Sequence, residues 1–406
     1  MAVLSPFPAL RPTPDAASRV AAVPYDVVSA DEARALAADP LSFLHVSRAE
    51  IDLPPTVPPY SDDVYRRARE NFAALRAAAP LVTEDQASLY VYRLTMGGHV
   101  QTGVAGCFGL DDYDSGVIKK HEHTRVDKEN DRTRHMIELR AQTGPVFLTY
   151  RASGAVDDLI ASATSAAPLF DFEAADGVRH TVWRATSNDA DRLVASFASI
   201  PALYIADGHH RAASASRARA TLNGAGSAGG SREIDGVLAV AFPDREMQVL
   251  PYNRLVKDLG GGDPQAFRAA LGQVCAVRPG GPVPPGRGHV SMFLGDEWHD
   301  LELPAAAAGS SAAARLDVSR LQDRVLGPLL GIGDPRTDPR IEFLGGARGT
   351  SALETRVRSG QAAAAFSLHP VSVGDLMIVS DAGDIMPPKS TWFEPKLRDG
   401  LLSHLI

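Results

Sequence analysis

The sequence predicts an α+β protein of mixed sheets and helices, on three observations. β-rich runs and helix-spaced runs are interspersed without the regular strand–helix alternation of a barrel or a dinucleotide fold. No GxGxxG follows a predicted strand, and GxxxxGK[ST] occurs nowhere, so the usual phosphate-cradling loops of α/β folds are absent. The 406 residues are 45% hydrophobic and 22% charged, the balance of a globular chain long enough for two or three domains.

The elements follow in order. The first twenty residues are proline-rich and predict extended chain. Ser29 reads as an N-cap, and Glu32 three positions on completes a capping box, so a short helix begins at Asp31. Residues 41–46 read as a strand; 54–59 read as a turn-rich linker, whose prolines cannot supply ladder donors. Val64, Tyr65, Ala68, Phe72 and Leu75 recur close to helical spacing and predict a helix over 61–79. Residues 88–95 and 103–110 are β-rich and separated by Gly97-Gly98, a hairpin pattern. A charged helix is expected over 127–142, then strands over 145–150, 181–185 and 202–206. An alanine- and arginine-rich helix starts at His209 and runs to about Leu222. Residues 223–231, rich in glycine, predict a loop and the clearest break in the chain. Beyond it come a strand at 237–242, a helix at 264–271, a loop at 280–288 and a hairpin from 290–294 and 298–303. A helix at 318–330, a strand at 341–344 and mixed structure at 373–379 complete the pattern. No repeat of solenoid period is present.

Charge narrows the function classes. With 41 basic and 49 acidic residues the net charge is −8, and no long lysine/arginine run appears, so DNA is not an expected partner. Cys107 and Cys275 have no metal-type spacing and lie in apolar surroundings, as core residues of a reduced, cytoplasmic protein do. The N-terminus lacks a basic n-region followed by a long apolar stretch, and no window holds eighteen uninterrupted apolar residues. Neither a signal peptide nor a membrane span is expected.

The strongest chemical signal is Tyr204-Ile205-Ala206-Asp207-Gly208-His209-His210-Arg211. An apolar strand ends, Asp-Gly bends the chain, and three ionisable side chains occupy the first turn of a helix. The first amides of a helix have no acceptor within it, and its dipole puts partial positive charge there. Two histidines and an arginine added to that end make a receptor for phosphate or carboxylate, and a side chain at Gly208 would obstruct it. The bland alternative is a helix capped by Asp207 with surface histidines.

A second signal is Lys119-Lys120-His121-Glu122-His123-Thr124-Arg125, followed by Asp127, Lys128, Asp131, Arg132 and His135. A carboxylate ringed by histidine and lysine can serve as a general base toward a hydroxyl or help hold a metal. The alternative is a solvated charged face, with Asp131 and His135 attracting one another at i, i+4. A third patch, Met386 to Lys396, sets Lys389, Ser390 and Thr391 beside aromatics; it could hold a phosphate or drape over a domain. Tyr25-Asp26 reads as a turn, and Asn253-Arg254 does not separate core from site. No GxSxG elbow supports a serine hydrolase. His121, His123, His209 and Asp207 could supply zinc ligands, but their spacing matches no zinc pattern.

Pro24-Tyr25-Asp26-Val27, His121-Glu122-His123-Thr124, Asp207-Gly208-His209-His210-Arg211, and the tail from Pro388-Lys389-Ser390-Thr391-Trp392-Phe393 to Pro395-Lys396-Leu397 lie in order along the chain. Together they resemble the DUF1015 proteins, a bacterial and archaeal family of unknown function. The turn is also similar to the nucleotide-binding box of the ParB/sulfiredoxin superfamily, which includes CTP-binding partition proteins, sulfiredoxins and free-serine kinases. The resemblance implies a ParB/sulfiredoxin-like core over 101–222. An N-terminal α/β segment over 1–100 would precede it, and a C-terminal α+β region over 233–406, with a tail returning to the site, would follow. It implies a nucleotide, ATP or ADP, with Mg²⁺, and a small acceptor such as free serine or a related hydroxyl compound. Glu122 would be the base, with His123 beside it, while Gly208, His209, His210 and Arg211 hold phosphates. Asp207 would assist Mg²⁺ or substrate, and Glu122 is a further candidate for the ion. Lys120, His121, Lys389, Ser390 and Thr391 are the remaining candidates for nucleotide contacts. A kinase or phosphotransferase is the leading expectation; a non-catalytic nucleotide-binding regulator and a metal-dependent hydrolase are the rivals.

Overall fold

A computed structural model describes residues 1–78, 81–224 and 232–406. The chain divides into two compact units. One comprises Met1–Lys120, Thr124–Met247 and Pro395–Ile406; the other comprises His121–His123 and Gln248–Glu394. Each is a mixed assembly of helices and sheets, in agreement with the α+β expectation. Among the described residues no helix is long and apolar enough to cross a membrane.

The first unit is built on a nine-stranded sheet. Its central strand Gly236–Pro243 is buried at every position, as its unbroken apolar run requires between two neighbours. It runs parallel to Val146–Tyr150 and antiparallel to His99–Gly109. The latter forms the expected hairpin with Tyr90–Met96, closing at Met96↔His99 around Gly97-Gly98. On the other side, Val146–Tyr150 pairs with Leu203–Asp207, which lies parallel to the short strand Ile118–Lys119. Alternate residues of these strands (Val146, Leu148, Tyr150; Leu203, Ile205; Val237, Ala239, Ala241) face one core. The helices Val126–Leu139, Gly154–Ala163, Ser187–Phe197 and His209–Gly224 contribute the covering side chains. A separate cluster joins the helix Asp62–Ala78 to the N-terminal segments, with Phe72 edge-on to Phe43. A four-stranded sheet incorporates Ala9–Pro12 and the C-terminal strand Ser403–Leu405.

The second unit has a six-stranded antiparallel sheet in which Ala364–Leu368 lies between His289–Leu294 and Tyr252–Val256. Leu255, Phe293, Leu344, Leu353 and Ala365 fill one face of it. The expected hairpin is present as His289–Leu294 and Glu297–Glu302.

Several expectations are corrected. Residues 41–46 are not a strand: Leu44–Ser47 is a helical turn, with Phe43, Leu44 and Val46 all buried. Short apolar runs do not distinguish the two periods, and burial on more than one side favours the turn. The charged helix ends at Leu139, where Arg140 takes a left-handed φ of 51°, and Ala141–Gln142 then pairs with Ser403–Leu405. The helix expected over 318–330 widens into a π turn at Gln322–Leu326, two residues ahead of Pro328, which lacks the amide an α-helix would use. Residues 373–379 belong to a regular helix, Val373–Asp381, whose N-terminus carries a capping box from Ser372 and Asp375. The capping box at Ser29 and Glu32 forms as expected. The extended N-terminus holds only to Pro12, after which Pro14–Val20 is helical. Of the loop expected over 223–231, residues 225–231 lie outside the described residues, and Asn223 and Gly224 close the preceding helix. Both cysteines are buried and free.

Candidate functional site

In the first unit the turn forms at the end of strand Leu203–Asp207. Gly208 adopts φ +93°, a region closed to most side chains, and the Asp207 Oδ1 accepts the Gly208 N–H at 2.8 Å. Helix His209–Gly224 starts at once. Its Ala212, Ser214, Ala215 and Ala218 are small enough for close approach to helix Val126–Leu139, and Ser214 Oγ donates to the Glu129 carbonyl at 3.0 Å.

The charged residues of this turn do different jobs. His209 is buried. His210 Nε2 accepts the backbone N–H of Arg125 at 2.9 Å, so the ring carries its proton on Nδ1 and is neutral there. Arg211 does not face solvent. It folds back beneath Gly208, where a Cβ would stand 3.2 Å from its Nε, and donates to the Pro145 carbonyl. Burial works against its charge, but Asp26, Asp207 and Asp399 outweigh that, and its pKa lies above the ordinary arginine value. The cation presented at the turn is instead Lys396, whose Nζ donates to Asp207 Oδ2 at 2.9 Å. Both Asp207 oxygens are thereby engaged.

The Lys119–Arg125 segment meets this strand and turn at both its ends within this unit. Ile118–Lys119 and Leu203–Asp207 are parallel neighbours in register at Tyr204↔Lys119, so Lys120 leaves the sheet at the end from which Gly208 leaves. Lys120 Nζ lies 3.7 Å from the Tyr113 ring centroid, and burial pulls its pKa down. The chain re-enters the unit at Thr124, whose hydroxyl donates to Glu129 at 2.7 Å, and Arg125 then meets His210. The intervening His121–His123 belongs to the second unit, where the Met386 N–H donates to the His121 carbonyl at 2.8 Å and Thr391 Oγ1 lies 3.5 Å from His121 Nε2. Glu122 is half-buried and His123 exposed. In that unit Lys389 takes a left-handed φ of 58° with its Nζ 5.6 Å from the Tyr252 ring centroid, and Ser390 donates to the Pro387 carbonyl at 2.6 Å.

The reading of 127–135 as a solvated face holds at Asp127, which is exposed, and is corrected on the other side of the helix. Asp131, Thr133 and His135 are buried. Asp131 accepts from the Tyr65 hydroxyl and Arg132, both at 2.8 Å, and His135 Nε2 reaches the Val46 carbonyl instead of Asp131. Burial lowers His135 to about 4, so it is neutral.

Asp399 was not singled out in the sequence. It is buried, and Gly144 makes room for it, because a Cβ there would collide with its carboxylate. Burial pushes its carboxyl up to about 7, Asp26 adding to the shift while Arg211, Arg132 and Arg398 oppose it. From the ordinary value of 3.8 to about 7 the folded state therefore binds a proton that the unfolded state has lost. Stability falls as pH rises through that window and levels off above it. Relative to the unchanged chain, Asp399→Asn is expected to gain unfolding free energy between pH 5 and 8 in urea titrations. A difference that is flat with pH would remove Asp399 from this role.

The sequence pattern of a family described as "Protein of unknown function (DUF1015)" matches residues 4–319. The chain belongs to the DUF1015 family. Comparison of this DUF1015 chain with curated proteins gives no match. Among solved structures it is similar to a "Conserved hypothetical protein from Pyrococcus furiosus", at 14% identity and a TM-score of 0.38, covering 73% of this chain and 94% of that one. It is similar to a "Free serine kinase in complex with AMP", at 13% identity and a TM-score of 0.37, covering 72% and 91%. A third is "SbnI with C-terminal truncation from Staphylococcus aureus", at 11% identity and a TM-score of 0.37, covering 73% and 85%.

Besides Asp399, two residues around the turn were named in the sequence without the contacts they make. Lys396 was visible only as one member of a mixed tail, and nothing local ties it to Asp207, 189 positions earlier. Arg132 lies over the Tyr25 ring at 4.2 Å, joining the helix 126–139 to the turn at 24–27. A largely covered arginine within a run of charges carries no local mark.

Proposed function

We propose that the DUF1015 chain is a nucleotide-dependent phosphotransferase acting on a small hydroxyl compound, with free serine or a relative as acceptor. In this reading the strand–turn–helix at 203–224 works as a nucleotide-phosphate box of the ParB/sulfiredoxin kind. The observation that carries it lies within the first unit: the strand that precedes the His121–His123 excursion pairs at Lys119 with Tyr204, on the strand that leads into the turn, and Arg125, which follows the excursion, donates its N–H to His210 in the turn. Chain connectivity leaves Glu122 three residues from Arg125.

Phosphoryl transfer asks for positioning and charge neutralisation. The amides of the helix start and Lys396 would receive the phosphates of ATP or ADP, with Lys120 a second cation. Arg211, buried below, holds the turn in shape. The acceptor oxygen forms a bond to phosphorus as the bond to the nucleotide's leaving oxygen breaks, and Glu122 takes the hydroxyl proton, with His123 beside it. Mg²⁺, when bound, would neutralise phosphate charge. An ion at Asp207 would have to displace Lys396, since both carboxylate oxygens are engaged.

The test is to incubate the protein with labelled ATP or ADP, Mg²⁺ and a panel of hydroxyl amino acids, alongside Lys396→Ala. That substitution removes a cation and leaves the Asp207 carboxylate facing the phosphates, so nucleotide affinity is expected to fall about tenfold or more. Labelled acceptor in the unchanged protein is the expected product. Nucleotide binding without transfer would point to a non-catalytic regulator, and no nucleotide binding at all would refute the reading.

A further inference from the structure

The second unit contains a cavity of about 320 Å³ that no part of the turn site uses. Four arginines line it: Arg254, Arg287, Arg315 and Arg320. Two of them are neutralised. Arg287 pairs with Asp375, and Arg320 pairs with Asp317 at 2.8 Å. The other two have no carboxylate partner among the described residues. Arg315 is exposed at the mouth, whereas Arg254 is buried, at 3% exposure.

Arg254 is the unusual group. Its guanidinium donates to the backbone carbonyls of Tyr252 and Pro388 and lies 5.2 Å from the Phe343 ring centroid. Carbonyls and a ring face satisfy donors, but they bring no negative charge. Burial without a counter-charge pulls its pKa down to about 10. A desolvated cation at the edge of a cavity is costly unless an anion joins it, and a guanidinium binds carboxylate or phosphate through two parallel hydrogen bonds. The paired Asp317 and Asp375 carboxylates also line it, with His369, Ser390 and the Tyr252 ring, and its apolar wall is Leu316, Val318, Leu368, Pro370, Val371 and Ile378. The space suits a metabolite-sized molecule rather than a bare ion.

We propose that this cavity is a binding site for a small organic anion, its carboxylate or phosphate head on Arg254 and Arg315 and its apolar body against the Leu316–Val371 wall. The site stands independently of the phosphotransferase reading, because every lining residue belongs to the second unit.

The test uses isothermal titration calorimetry of the full chain with phenyl phosphate, benzoate and inorganic phosphate. Phenyl phosphate and benzoate share a body and differ in head, and inorganic phosphate has no body. One of the aromatic anions is expected to saturate a single site, with inorganic phosphate at least about tenfold weaker. Arg315→Ala is expected to weaken that binding about tenfold, Arg254→Met to abolish it, and Lys396→Ala to leave it unchanged. Arg315 is exposed, so its variant decides the matter even if Arg254→Met does not fold. No saturable binding of either aromatic anion overturns the proposal. So does an affinity indifferent to the arginines, and binding lost only in Lys396→Ala would relocate the anion to the turn.

Discussion

Replacing Arg211 with leucine is expected to destabilise the first unit by about 3–5 kcal/mol, the cost of removing one partner from a buried charge cluster. The guanidinium is buried, donates to the Pro145 carbonyl, and offsets the charges of Asp26, Asp207 and Asp399. Leucine fills part of the volume but leaves the Pro145 carbonyl without its donor and the carboxylates without their cation. Asp399 has the least recourse to water, being 3% exposed, so it should hold its proton to still higher pH in the variant. Chemical denaturation followed by far-ultraviolet circular dichroism measures the loss. Asp399→Asn in the Arg211→Leu background should recover part of it, because the two groups interact and their effects are not additive. A loss under about 1 kcal/mol, or strict additivity of the two substitutions, would mean that Arg211 does not organise the turn.

The second large effect concerns chemistry. If Glu122 takes the acceptor's proton, Glu122→Gln keeps the shape and hydrogen-bonding reach of the side chain while removing its basicity. Transfer is then expected to fall by about 10²–10⁴, the usual worth of a positioned general base, with nucleotide affinity nearly unchanged. The separation of the two readouts matters. A fall in affinity as large as the fall in rate would place Glu122 in nucleotide or ion binding, and a loss of transfer below about tenfold would take the proton-accepting role from it. Lys396→Ala should show the opposite signature, with affinity lost first.

The local vocabulary of the fold was legible without coordinates. The Gly97-Gly98 hairpin, the Ser29–Glu32 capping box and the strand–turn–helix at 203–224 all depend on side chains within about four positions of one another, and each formed where the pattern put it. Short apolar runs were the weak point, as at Leu44–Ser47, because neither period is established in so few residues. At the candidate site, the turn was recognised by residue type, whereas the burial of its arginine was not: Arg211, expected to hold phosphate, lies beneath Gly208.

The sequence alone thus determined an α+β chain, a glycine-dependent turn opening a helix, and a charged box upstream of it. Tertiary structure decided which charges share that turn. Lys396 reaches Asp207 from the last residues of the chain, Asp399 occupies the space that Gly144 leaves, and strand pairing sets Lys119 beside Tyr204. It also decided that Arg254 would be a buried cation beside a cavity rather than an ordinary strand residue. Local pattern reports on neighbours in sequence, whereas the burial and partnering of a charge depend on residues a hundred or more positions away that only the folded chain brings together.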